Sequence, residues 1–164
     1  MEISANFAFL EQEFPHAAES ASYAERHVYG DPRASCFRAR HALEGLVKRV
    51  YKVDKTLNPP KVTNLDGYLA EPAFRELVPE VVWQKAELIR KAGNDAVHGK
   101  KMPTSEKALD LVQELRETET SSFTLSDTPL YTATAMGLAD APATLAGPPT
   151  ATHHRARAAG RSQP

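Results

Sequence analysis

The chain has 164 residues, of which 25% are charged, and its formal net charge is −1 at pH 7. This length fits one domain with a modest core. The balanced charge excludes an overall basic field of the kind that attracts nucleic acid, but it is compatible with a local basic face. The single cysteine, Cys36, excludes an internal disulfide framework and leaves too few thiolates for a structural zinc site. We predict no bound metal and no cofactor.

The start of the chain indicates where the protein resides. Residues 1–6 lack the basic region and the apolar run that are typical of a secretory signal. No window of the sequence reaches the apolar length that is needed to cross a bilayer. These features predict a soluble, cytoplasmic protein that does not insert into a membrane.

Helical periodicity begins at residues 16–29 and is strongest over Pro32–Val53. Asp31 is a suitable N-cap for this second helix, and a proline is tolerated in its first turn. Its apolar seam contains Ala39, Leu43, Leu46, Val50 and Val53. Its other faces are basic, with Arg33, Arg38, Arg40, Lys48, Arg49 and Lys52. This basic surface is either simply solvated or binds nucleic acid or a partner.

The rest of the first 118 residues is also helical in pattern. A proline-containing loop at residues 54–63 precedes short helical pieces at residues 64–71 and around Phe74. Pro79 opens a further helix, and Thr104 or Ser105 caps the last one. Because no alternating strand pattern occurs, we predict an all-α bundle of four or five helices over residues 6–118.

The composition changes at residue 119 to Ser, Thr, Ala, Pro and Gly, without periodicity. Such a segment cannot bury enough apolar surface to offset the entropy of ordering it. We therefore predict a disordered C-terminal tail over residues 119–164.

The most informative stretch is residues 88–99, where Arg90, Asn94 and His98 recur every four residues and so share one helix face. The apolar residues predicted to form its buried side are Leu88, Ile89, Ala92, Ala96 and Val97, with Gly99 as the C-terminal cap. A cation, an amide and an imidazole in one stripe can bind a phosphate, transfer a proton or lock the helix to its neighbours. Gly93, in mid-helix, indicates close approach by another helix or a local bend.

Two hypotheses follow for this stripe. In the enzymatic one, His98 is the general acid or base towards a ribose 2′-hydroxyl, Arg90 stabilises charge on the phosphate and Asn94 orients either group, which gives metal-independent phosphodiester cleavage. In the structural one, Asn94 and His98 form hydrogen bonds with backbone groups at the helix end and brace the following loop.

Five short motifs occur in the order expected for a known family. They are Asn6-Phe7-Ala8-Phe9-Leu10, Ala24-Glu25-Arg26, Tyr29-Gly30-Asp31-Pro32-Arg33, Ala39-Arg40-His41-Ala42-Leu43-Glu44 and Ile89-Arg90-Lys91-Ala92-Gly93-Asn94-Asp95-Ala96-Val97-His98. Over residues 6–118 the chain resembles the helical domain of unknown function at the N-terminus of many type I restriction enzyme R subunits and related helicases. That domain is itself similar to the HEPN superfamily of helical bundles.

The resemblance implies a HEPN-like bundle that works as a non-catalytic interaction or nucleic-acid-proximal module in a restriction-modification or related defence system. It also implies a protein partner or self-association as a homodimer, with nucleic acid as an open alternative. Helicase and nuclease motifs are not found in the sequence, so we expect no activity from the chain alone.

The alternative is a HEPN-type, metal-independent endoribonuclease that acts as a dimer, with Arg90, Asn94 and His98 as catalytic residues. Asn94 and His98 match the second half of the catalytic HEPN motif. Gly93, however, stands at the usual arginine position, and Arg90 lies one residue too far from the histidine.

Overall fold

The computed structural model describes residues 2–99 and 101–122, and all regular structure within these ranges is helical. A 3-10 turn at Ala8–Leu10 precedes six α-helices. They are α1 (Pro15–His27), α2 (Pro32–Val53), α3 (Leu65–Ala70), α4 (Pro72–Leu77), α5 (Glu80–His98) and α6 (Ser105–Ser122). The predicted all-α fold is confirmed: four long helices form the bundle, while α3 and α4 are short pieces between α2 and α5.

Only the first residues of the predicted C-terminal tail lie in the described part of the chain. Helix α6 continues to Ser122, past the predicted tail boundary at residue 119. The rest of the predicted tail, residues 123–164, lies outside the described residues. None of the helices in the described part combines the length and the apolarity that are needed to cross a bilayer.

Local capping explains where the long helices start and end. The Asp31 carboxylate accepts a hydrogen bond from the backbone N–H of Ala34 at 3.0 Å, as expected of an N-cap. At α6 it is the hydroxyl of Thr104 that accepts, from the backbone N–H of Lys107 at 3.2 Å. Helix α5 ends at the predicted Gly99, but with an ordinary φ of −71°, so this end does not depend on the left-handed conformation that glycine permits.

Helix α2 is the centre of the bundle and packs against α1, α5 and α6. Leu43 and Leu46 of its predicted seam are buried, whereas Val50 is only partly buried against the core. From α6 the core receives Ala108, Leu111, Val112 and Leu115, all of which are fully buried. The heptad-like spacing of apolar residues on α2 therefore corresponds to a real interface on most of its length.

The N-terminal segment is part of this bundle. Ser4 and Asn6 donate side-chain hydrogen bonds to the Glu25 carboxylate on α1. Phe7 and Leu10 are buried in the core. Residues 4–10 are thus held by both polar and apolar contacts, which explains why an apolar run precedes the first long helix.

The connection between α2 and α5 is held by two buried or partly buried donors. The Tyr51 hydroxyl donates to the carbonyl of Tyr68 at 2.7 Å, and burial raises the pKa of Tyr51 to about 12. The indole N–H of Trp83 donates to the carbonyl of Leu69 at 2.9 Å. Helix α3 is therefore attached to α2 on one side and to α5 on the other, which places it beside the polar stripe of α5.

Candidate functional site

Helix α5 places Arg90, Asn94 and His98 on successive turns, but in three different environments. The Arg90 side chain is 15% exposed, Asn94 is half-buried and His98 is exposed. The stripe therefore runs from the edge of the bundle out into solvent.

Arg90 is the most constrained of the three. Its Nε and Nη2 donate to the two carboxylate oxygens of Glu87 at 2.8 and 3.0 Å, and its Nη1 lies 3.0 Å from the Asp66 carboxylate on α3. The hydrogen bonds from Arg90 hold the pKa of Glu87 below its usual range, and those with Glu87 raise the pKa of Arg90. Lys91 adds an ion pair to Glu87 at 3.3 Å. Arg90 is thus a fixed charge that connects α5 to α3.

Asn94 and His98 do not form the hydrogen bonds that the structural hypothesis predicts. Neither side chain forms a hydrogen bond with any residue in the described ranges. The predicted bracing bonds to the backbone are therefore not found there. The reason is that other groups complete the end of α5. The N–H of Gly99 donates to the carbonyl of Asp95 at 2.7 Å and Arg33 donates to the carbonyl of Gly99, while the imidazole of His98 is exposed.

The buried face of α5 is also rotated relative to the prediction. Ile89 and Ala96 are buried as expected, but Leu88 and Val97 are 39% and 47% exposed. The buried residues of α5 are Val82, Ala86, Ile89, Gly93 and Ala96. Small residues recur along this face, so the neighbouring helices approach α5 over them, and the larger apolar side chains on either side stay at the rim.

Gly93 marks the closest of these approaches. A Cβ atom added at Gly93 would lie 2.4 Å from the Cβ of Arg40 on α2. This confirms the predicted close approach by another helix and identifies that helix as α2.

Two arginines of α2 that the sequence analysis assigned only to a basic face lie next to α5. Nη2 of Arg33 donates to the carbonyl of Gly99 at 3.4 Å, and Arg40 crosses Gly93. The positive charge of Arg33 thus lies at the C-terminal end of α5, where the helix dipole favours a cation. The sequence contained one sign of this arrangement: the two arginines are seven residues apart, which places them on the same face of α2.

The other side chains that could take part in catalysis or metal binding are not near the polar stripe of α5. His41 interacts with the Ser20 hydroxyl on α1 at 3.0 Å and so does not pair with α5. Cys36 is buried, and burial raises the pKa of its thiol, which keeps it protonated. Within the described residues no three His, Cys, Asp or Glu side chains are grouped so that they could hold a metal ion.

Fold and site together define a small all-helical domain with a polar stripe on α5 beside the basic face of α2. Residues 22–127 match the family described as Domain of unknown function (DUF4145), and the chain belongs to that family. The match begins inside α1 and includes the whole of α2 and α5. No curated protein and no solved structure matches the chain.

Proposed function

We propose that this domain is a non-catalytic helical interaction module that resembles the N-terminal accessory domain of type I restriction enzyme R subunits and acts in a restriction-modification or related defence system. The observation that carries the non-catalytic role is the engagement of Arg90. Its guanidinium already binds the Glu87 carboxylate through two nitrogens and Asp66 through the third. A phosphate would have to displace two carboxylates, which is unfavourable for a partly buried cation.

The environment of His98 supports the same proposal. A general acid or base works best when a second group fixes its tautomer and its direction. His98 is exposed and has no such group among residues 2–99 and 101–122. The stripe therefore lacks the mutual support that a catalytic arginine and histidine give each other.

The restriction or defence context and the nearness to nucleic acid rest on the resemblance. Four of the five motifs that carry it fall inside the family match, and the first, at residues 6–10, precedes it. A protein partner or a second copy of the chain is the expected binding partner of such a module.

The alternative is a HEPN-type ribonuclease that acts as a dimer. One observation favours it: Asn94, which is half-buried, and His98, which is exposed, are one turn apart, and neither side chain is bonded to another described group. Such a pair is available to a substrate, and Arg90 would then need release from its two carboxylates.

Incubation with single-stranded RNA in EDTA tests the proposal. We expect no cleavage above the protein-free control by the wild type, by His98→Ala or by His16→Ala. His16→Ala is the matched control, because it removes another exposed imidazole, on α1. Cleavage that is lost in His98→Ala and kept in His16→Ala would establish the ribonuclease and refute the non-catalytic module.

The restriction context is tested by size-exclusion chromatography of the purified domain with type I restriction, methylation and specificity subunits from its own organism. We expect co-elution with at least one of them. Elution apart from all three would remove this context.

A further inference from the structure

One end of the bundle brings the start of α2 next to the end of α5. Arg33 reaches the carbonyl of Gly99 at 3.4 Å, and seven residues later Arg40 crosses Gly93. The two helices therefore run antiparallel and remain in contact over two turns. The turn between α1 and α2 lies at the same end.

Large apolar side chains are exposed at this end. Phe37 lies between the two arginines on α2 and is 36% exposed, and Val97, which is 47% exposed, lies one turn beyond Gly93 on α5. Tyr29, in the turn before α2, is 43% exposed. We call Tyr29, Arg33, Phe37, Arg40 and Val97 the arginine–phenylalanine surface. Aromatic residues and arginine beside aliphatic side chains are the composition of protein interfaces.

The two arginines of this surface have unused donors. Arg33 makes one long hydrogen bond to a carbonyl and contacts no carboxylate in the described part of the chain. Arg40 lies 3.4 Å from one oxygen of Glu44, whose other oxygen is held more closely by Lys48 at 2.7 Å. A guanidinium offers five N–H donors in a planar fork. Unlike Arg90, Arg33 and Arg40 can each bind a further carboxylate.

We propose that the arginine–phenylalanine surface binds a segment of a partner protein that carries carboxylates beside a large apolar side chain. Phe37 and Val97 contact the apolar side chain, while Arg33 and Arg40 bind the carboxylates through their terminal nitrogens. Partial burial of both arginines reduces competition from water and strengthens these ion pairs. The inference rests on the proposed interaction role and specifies its partner.

An acidic protein segment fits this surface better than nucleic acid does. The chain has a net charge of −1, so it does not attract a polyanion at long range. Tyr29 and Phe37 have ring faces on which a base could stack, but Val97 has none and packs readily against leucine or phenylalanine. The surface thus matches a ligand that presents few charges and one apolar anchor.

Selection from a phage-displayed random peptide library on the immobilised full chain tests the proposal. We expect enriched peptides to carry Asp or Glu next to a large apolar residue. A labelled synthetic copy of the most enriched peptide should bind about tenfold or more weakly to Arg33→Ala and to Phe37→Ala, because central aromatic and arginine residues dominate such interfaces. Arg33→Lys should give an intermediate loss, since it keeps the charge but not the fork.

Matched controls separate binding from folding. Lys61→Ala removes an exposed cation from the loop between α2 and α3 and should leave the affinity unchanged. Unaltered circular dichroism of the Arg33 and Phe37 variants shows that they fold. A copy of the peptide with lysine in place of its acidic residues should not bind.

The following results would overturn the proposal: no enrichment, enrichment of peptides without carboxylates, or binding that the Arg33 and Phe37 variants leave intact. A dimer that these variants dissociate would assign the surface to a second copy of the chain instead. If a single-stranded oligonucleotide bound more tightly than the peptide, and the Arg33 and Phe37 substitutions weakened its binding as much, the surface would be assigned to nucleic acid. RNA cleavage together with binding of an acidic peptide would refute only the proposed non-catalytic role. No cleavage together with no enriched peptide would refute only the proposed binding role of this surface.

Discussion

Replacing Gly93 with alanine tests the closest contact between α2 and α5. The new Cβ would lie 2.4 Å from the Cβ of Arg40 and 2.9 and 3.0 Å from its Cδ and Cγ, against 3.4–4 Å for an ordinary contact. The Cδ and Cγ atoms can rotate away, but the Cβ is fixed to the backbone of α2, so the helices have to separate. Overpacking of this kind costs about 1–3 kcal/mol, while alanine gains about 1 kcal/mol of helix propensity. The difference is a net loss of up to about 2 kcal/mol.

Gly45→Ala is the matched control on α2. Gly45 is exposed, and a Cβ added there would lie 3.8 Å from the Cβ of Ala17, which is an ordinary contact. Without overpacking, only the propensity and the lower entropy of the unfolded chain remain. We expect Gly45→Ala to stabilise the protein by about 0.5–1 kcal/mol.

Urea denaturation followed by circular dichroism measures both free energies of unfolding. The two substitutions should have opposite signs. In an Arg40→Gly background, Gly93→Ala should become stabilising, because the atom that blocks the new methyl group has been removed. Equal stabilisation by Gly93→Ala and Gly45→Ala in the wild-type background would show that α2 and α5 do not approach as closely as described.

Three further substitutions can be measured in the same way. Leu46→Ala should cost about 2–5 kcal/mol, because Leu46 is buried in the α2 seam, and a loss below about 0.5 kcal/mol would contradict this packing. Tyr51→Phe should cost about 1–3 kcal/mol, because the carbonyl of Tyr68 loses its buried donor. Since the folded pKa of Tyr51 is raised from 10.0 to about 12, wild-type stability should fall as the pH rises through this window, and a pH titration of unfolding should show a smaller fall in Tyr51→Phe. His98→Ala should change stability by less than about 0.5 kcal/mol, because the imidazole is exposed and makes no described hydrogen bond, and a larger fall in the melting temperature would restore the bracing role.

Much of the fold was predictable because it depends on local chemistry. Asp31 caps α2, Pro79 precedes α5, and Gly99 follows its last turn, so the ends of these helices could be placed from a few neighbouring residues. The buried Leu43 and Leu46 followed from the periodicity of α2. Helix ends and amphipathic seams are short-range properties, and a single sequence contains them.

The candidate site was predictable only in part. Spacing alone placed Arg90, Asn94 and His98 on one face of α5, and the helix confirms this arrangement. Their environments could not be derived, because Asp66, which helps to hold Arg90, comes from α3 across a turn that periodicity does not describe. Leu88 was expected to be buried because it is apolar, but the rotation of α5 in the bundle leaves it exposed.

The amino-acid sequence by itself determined that this chain forms helices, where the long ones begin, and that α5 carries a cation, an amide and an imidazole on one side. Only the tertiary structure decided that α5 turns Gly93 towards Arg40 and that Arg33 reaches Gly99. The physical reason is that helix propensity and capping act between neighbours in the chain. The rotation of a helix in a bundle is set instead by how closely small residues let its partners approach, which brings together residues that are far apart in sequence.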